Sequence, residues 1–288
     1  MSDRPHIIVC RARDGGEPLE EDLLRGLARW PELPLTVLPH LYDLASDGPG
    51  VESLRSIAGD MVVLTAMHPR AAFWALDANG IRGRMGHAAF VSEQQVEPSA
   101  AQGQDSKKLL QNSPRPLAGE GSRAVVPGVR AEGGSRTIWC VDLRTHSEAG
   151  VYLEEIGRIV ADTGGSPLAS SATAEAAADG RDRHVAEATR ARWYPVVDRD
   201  RCRGCLECLN FCLFGVYGLD EAGMPLVEEP DACRDGCPAC ARICPAGAIL
   251  FPAHADPAIA GGVKPAAAAP TSTANLDRLV DDVDQMDL

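Results

Sequence analysis

No stretch of the 288-residue chain approaches the roughly 20 apolar residues that a membrane-spanning helix needs, so no membrane span is expected. The apolar run near the start, Ile7 to Cys10, is too short for the core of an export signal. A cytoplasmic, reducing location is therefore expected. No strand is followed by G-x-G-x-x-G and no G-x-x-x-x-G-K-[ST] occurs, which removes the main support for dinucleotide or triphosphate binding. Basic charge is short as well. Lys and Arg number 28 against 41 Asp and Glu, a net of −13, which disfavours nucleic acid as a partner.

What the chain does have is cysteine, concentrated in one place. Eight of its ten cysteines lie between Cys202 and Cys244. The first run is Cys202, Cys205, Cys208 and Cys212. The second is Cys233, Cys237, Cys240 and Cys244, followed at once by Pro245. Three thiolates at near-helical-turn intervals can face three corners of one iron–sulfur cube. Structural zinc would use cysteine pairs separated by a longer loop and would leave the third cysteine of each triplet spare. A disulfide framework belongs to oxidising compartments. The runs also form an internal repeat, since Cys205, Cys208 and Cys212 recur 32 positions later as Cys237, Cys240 and Cys244. Tyr194-Pro195-Val196-Val197-Asp198 leads into one run and Met224-Pro225-Leu226-Val227-Glu228 into the other. Duplicated halves of this kind complete one another's sites.

On these residues, the segment from about Trp193 to Pro252 resembles a bacterial-type ferredoxin with two [4Fe–4S] clusters. The resemblance implies a small ferredoxin-like fold, single-electron transfer and crossed ligation, in which the fourth cysteine of each run serves the other cluster. Cys202, Cys205, Cys208 and Cys244 would then hold one cluster, and Cys212, Cys233, Cys237 and Cys240 the other. Two departures from the family pattern stand out. Leu213 follows the first run where proline is usual, and the second run has an extra residue between Cys233 and Cys237, placed at Arg234-Asp235. No histidine lies close enough to suggest a Rieske-like centre. Leu206, Phe211, Phe214, Ile243 and Ile249 are expected to keep water from the clusters.

The remainder reads as a parallel α/β domain over 1–166, of flavodoxin or Rossmann type, because short continuous apolar runs alternate with helical stretches. Strands are expected at Ile7–Cys10, Leu35–Leu38, Met61–Leu64 and Thr137–Val141. Helices are expected at Leu19–Trp30, Val51–Ala58, Ala71–Asn79 and about Glu148–Ala161. Residues 97–136, rich in Gly, Pro, Ser, Gln and Arg, read as a disordered insertion. An Ala/Ser-rich linker is expected over 167–190, the ferredoxin unit over 191–254, and a tail over 255–288. In that tail Leu276, Leu279, Val280, Val283 and Met286 recur at helical spacing among aspartates, as in a short acidic helix.

Ligands of open α/β sheets collect at the carboxyl ends of strands, where Cys10, Arg11, His68 and Arg70 would lie. Cys10 and Cys140 read as small buried hydrophobes, and His68 as a cap or loop histidine. This domain distantly resembles the small α/β subunits of hydrogenase and disulfide-reductase electron chains. An electron carrier docking on a redox partner protein is the leading expectation. An α/β domain that binds flavin or a small acceptor, and a redox-sensing binding protein, stand as alternatives.

Overall fold

A computed structural model describes residues 4–13, 17–89, 136–164 and 182–262. Its first unit runs β1 (His6–Cys10), α1 (Glu17–Leu27), β2 (Leu35–Leu38), α2 (Pro49–Arg55), β3 (Met61–Thr65), α3 (Pro69–Ala78), β4 (Arg84–Met85), β5 (Thr137–Asp142), α4 (Ala149–Asp162) and β6 (Asp182–His184). These strands form one sheet in the order β4-β5-β3-β1-β2-β6, every adjacent pair parallel. The apolar runs of β1, β3 and β5 are continuous because both faces of the sheet are covered. Ile8, Cys10, Met61, Val63, Ile138 and Cys140 face Val51 and Leu54 of α2 and Phe73 and Leu76 of α3. Ile7, Val9, Val62, Leu64 and Val141 face Leu23 and Leu27 of α1 and Ile156 and Ile159 of α4. Gly26 lets α1 and α4 approach, since a Cβ there would lie 2.2 Å from Leu153 Cδ1. Pro49 and Pro69 open α2 and α3, where a missing N–H costs nothing.

The four expected strands and four expected helices are all present, with ends shifted by a few residues. Two edge strands were not anticipated. β6 lies inside the stretch expected as a linker, so part of 167–190 belongs to the sheet. Of the expected insertion only Arg136 is described. Its guanidinium donates to Arg82 O at 2.6 Å and Ile57 O at 2.5 Å, which fastens the return of the chain to β5. Positions 97–135, most of the linker and the acidic stretch from Leu276 to Met286 lie outside the described residues.

The second unit comprises β7 (Val196–Val197), α5 (Glu207–Phe211), β8 (Tyr217–Leu219), β9 (Pro225–Val227), α6 (Ala239–Ile243), β10 (Ile249–Leu250) and α7 (Pro257–Ala260). The two short helices stand 32 residues apart, in step with the cysteine repeat. Strand pairing crosses the halves. β7, which enters the first half, pairs antiparallel with β10, which leaves the second, while β8 pairs with β9.

The units are joined by a mixed interface. Tyr194, Val196 and Leu250 share an apolar cluster with α3. Tyr42 and Tyr194 stack at 4.4 Å. The Tyr42 hydroxyl donates to Tyr194 O and accepts from Tyr194 N at 2.7 Å, while the Tyr194 hydroxyl donates to Tyr42 O at 3.1 Å. Arg70, at the start of α3, donates to Asp198 Oδ2 at 2.5 Å and Gly247 O at 2.7 Å. Asp43 accepts from Arg13 and from Arg192 N. α7 also belongs to this body rather than to a tail, since Phe251 N donates to Ile259 O at 2.8 Å.

Candidate functional site: eight cysteines between two repeats

Each cysteine run begins in a tight loop. Gly204 and Gly236, each preceding a run's second cysteine, adopt φ of 65° and 73°, a region that favours glycine. After that cysteine the runs diverge. Leu206 caps α5 in the left-handed region at φ 61°, whereas Pro238 holds the matching place at φ −103°. Proline cannot take a positive φ. The extra residue of the second run sits before it, in a turn closed by Cys237 N donating to Arg234 O at 3.1 Å.

The exit from each run takes one path in both halves. Cys212 and Cys244 have φ, ψ of −72°, 113° and −66°, 111°. Gly215 and Gly247 follow three residues later at φ 67° and 56°. Leu213 thus travels the route of Pro245, and the missing proline leaves the turn unchanged.

The sulfurs lie close enough to perturb one another. Burial pushes the Cys202 thiol up, the Gly204 N–H relieves it, and Cys244 and Cys205 raise it further. Cys208 is pushed up to about 11 by burial, eased by the Leu209 N–H and raised by Cys202, Cys240 and Cys244. Cys233 is pushed up to about 12 by burial, then by Cys240, Cys237 and Cys212. Cys240 is raised by burial, relieved by the Tyr217 hydroxyl, and raised by Cys212 and Cys237. Cys202 and Cys208 thus feel Cys244 of the other run, and Cys233 and Cys240 feel Cys212, while Cys208 also feels Cys240. Among the described residues no set of three or more His, Cys, Asp or Glu is placed to hold a single metal ion.

Backbone donors reach the sulfurs, as Ala248 N does Cys244 Sγ at 3.3 Å. Clustered thiols lined by N–H groups on glycine-turned loops fit thiolate ligation of iron–sulfur clusters. The surrounding core is Val197, Val216, Tyr217, Ile249 and Phe251. Here one expectation is corrected. Phe211 and Phe214 are 51% and 42% exposed, and with Leu213 at 92% they form surface instead of a shield. α5 is one turn and a half long, so its last residue and the exit loop turn outward.

The α/β candidates separate. Cys10 and Cys140 are buried, and burial pushes Cys140 up to about 12 and Cys10 higher still. His68 precedes α3 with its ring 3.7 Å from Asp142. Arg70 serves the interface, and Arg11 lies at the mouth of a cleft beside β1.

Sequence reasoning missed Tyr217, whose hydroxyl donates to Cys240 Sγ at 3.1 Å. The repeat carried a signal for it, because Tyr217 stands where the second half has Ile249. It also missed Trp193, whose indole N–H donates to Cys237 O at 3.1 Å.

No family model and no solved structure matches this chain. It is 43% identical over 61 residues, 21% of its length, to an uncharacterized ferredoxin of Methanocaldococcus jannaschii. The chain spans 41% of that relative's length, so the likeness is to a ferredoxin-like segment and not to a whole protein.

Proposed function

We propose that this protein transfers single electrons through two [4Fe–4S] clusters, one held by Cys202, Cys205, Cys208 and Cys244, the other by Cys212, Cys233, Cys237 and Cys240. The observation that carries this reading is that thiols of each run perturb thiols of the other, Cys244 acting on Cys202 and Cys208 and Cys212 on Cys233 and Cys240. Bound there, each cluster would supply a one-electron couple whose potential depends on hydrogen bonds to sulfur and on solvent exposure.

The chain's own residues do the rest. Tyr217 and the N–H groups of Gly204, Leu209, Ala241 and Ala248 point donors at the sulfurs and stabilise added negative charge. Val216, Ile249 and Phe251 exclude water. The Arg70 guanidinium holds the turn after Cys244 through Gly247 O. Because burial raises the Cys202, Cys208, Cys233 and Cys240 thiols, cluster assembly releases protons and depends on pH.

Phe211, Leu213 and Phe214 give an exposed apolar face beside Cys212, in a module with six basic and nine acidic residues over 192–254. Such a face suits brief docking on a redox partner protein with a basic rim, in a reducing compartment such as the cytoplasm, with affinity that falls as salt rises. Iron and acid-labile sulfide counts on anaerobically purified protein test the assignment. About eight of each per chain supports it, and zinc in place of iron removes it.

A further inference from the structure

The sheet carries a second candidate site, independent of the clusters. From β1 the chain passes through α1 to β2 on one side, and from β2 it crosses to β3 on the other. The carboxyl ends of β1 and β3 thus flank the point where the winding direction changes, the place where open α/β sheets hold ligands. A cavity of about 400 Å³ lies there, lined by Ala12 after β1, Ala66 after β3 and Arg144 after β5. It is roofed by Pro252, Ala253 and His254 of the cysteine-bearing module. Its volume falls in the range of small-molecule pockets.

Its carboxylates are buried, with Glu20 in the lining and Asp43 and Asp142 behind it, 3%, 5% and 6% exposed. They are also occupied. Glu20 accepts from Ala12 N at 2.6 Å, Asp43 accepts from Arg13, and Asp142 accepts both Arg144 N at 2.9 Å and its guanidinium at 2.8 and 2.6 Å. The Arg144 side chain remains 43% exposed at the cavity. His254 Nδ1 accepts from Asp256 N at 2.8 Å, which leaves the Nε2 position to carry a proton. Leu19, Ala66, Leu143 and Ala253 supply its apolar part. A ligand entering would meet the Arg144 guanidinium, whose Nε and Nη2 are held by Asp142, and the His254 ring.

We propose that this cleft binds a small anion bearing a phosphate or carboxylate group, gripped by Arg144 from the sheet and His254 from the roof. An anion site inside a chain of net charge −13 concentrates what the rest of the surface repels. A guanidinium N–H donates to either oxyanion, so two probes separate them.

The test is calorimetry of the full-length, cluster-loaded protein at low salt with inorganic pyrophosphate and, separately, citrate. Binding of either with Kd below about 1 mM is expected, and the tighter probe identifies the oxyanion. Arg144→Gln should weaken that binding about tenfold or more, and Ala253→Trp, at an exposed roof position, should abolish it by filling the space. Arg84→Gln, on the far edge strand, should change it little. Iron content should be unaltered in all three. Failure of both anions to bind at 10 mM overturns the proposal, as does parental affinity in Arg144→Gln and Ala253→Trp, or equal weakening by Arg84→Gln.

Discussion

The Tyr217 hydroxyl donates to Cys240 Sγ at 3.1 Å, and Cys208 and Cys212 also act on it. A donor to sulfur stabilises the more negative, reduced state. Tyr217→Phe should therefore lower one cluster's potential by about 20–60 mV, the equivalent of a net hydrogen bond of about 0.5–1.5 kcal/mol. Protein-film voltammetry would read the shift. An unchanged potential with full iron content would contradict this role for the hydroxyl.

The crossing of the halves predicts how variants group. Cys212→Ser and Cys237→Ser should disturb the same cluster, and Cys205→Ser and Cys244→Ser the other. Cys233→Ser should fall with Cys212 and Cys237, because the longer loop keeps its thiol among them. Electron paramagnetic resonance of each reduced variant sorts the five. Grouping of Cys212 with Cys205 would mean that each run closes its own cluster.

Tyr42 ties the sheet to the cysteine module. Its hydroxyl serves both the N–H and the carbonyl of Tyr194 in a buried setting. Tyr42→Phe keeps the ring stack but strips both backbone groups of their partner. We expect a loss of about 1–3 kcal/mol in urea unfolding. A loss near zero would show that the backbone finds other partners.

Alkaline pH should weaken the sheet through its buried thiols. Burial raises Cys140 to about 12 and Cys10 further, with Cys140 adding to the latter. A raised folded value means that the folded state holds its proton more tightly than the unfolded chain. The stabilisation is thus complete below the ordinary thiol value and is lost as pH climbs from about 9 towards 12, by about 1.4 kcal/mol per thiol per pH unit. Unfolding midpoints at pH 8 and pH 10 should differ less in Cys140→Ala than in the parent chain. An equal drop in both would remove Cys140 from the account.

Much of this was legible from residue order alone. The central strands could be read because burial on both faces turns each into an unbroken apolar run, as in Met61-Val62-Val63-Leu64. The cysteine spacing and the 32-residue repeat pointed to a paired site, and the structure adds the matching backbone exits after Cys212 and Cys244. β4 and β6 were hidden because edge strands of two or three residues, Arg84-Met85 and Asp182-Arg183-His184, are too short to carry an alternation. Phe211 and Phe214 misled for the opposite reason. Aromatic residues beside a metal motif suggest a core, but the brevity of α5 turns them to solvent. The interface roles of Arg70, Tyr42 and Tyr194 were hidden, since they join positions more than 100 residues apart in the chain.

The account stands most directly on the spectrum of dithionite-reduced protein prepared without oxygen. Two magnetically interacting [4Fe–4S] clusters with matching iron and sulfide are the predicted result. A colourless preparation, or one isolated cluster with four unligated thiols, would contradict it.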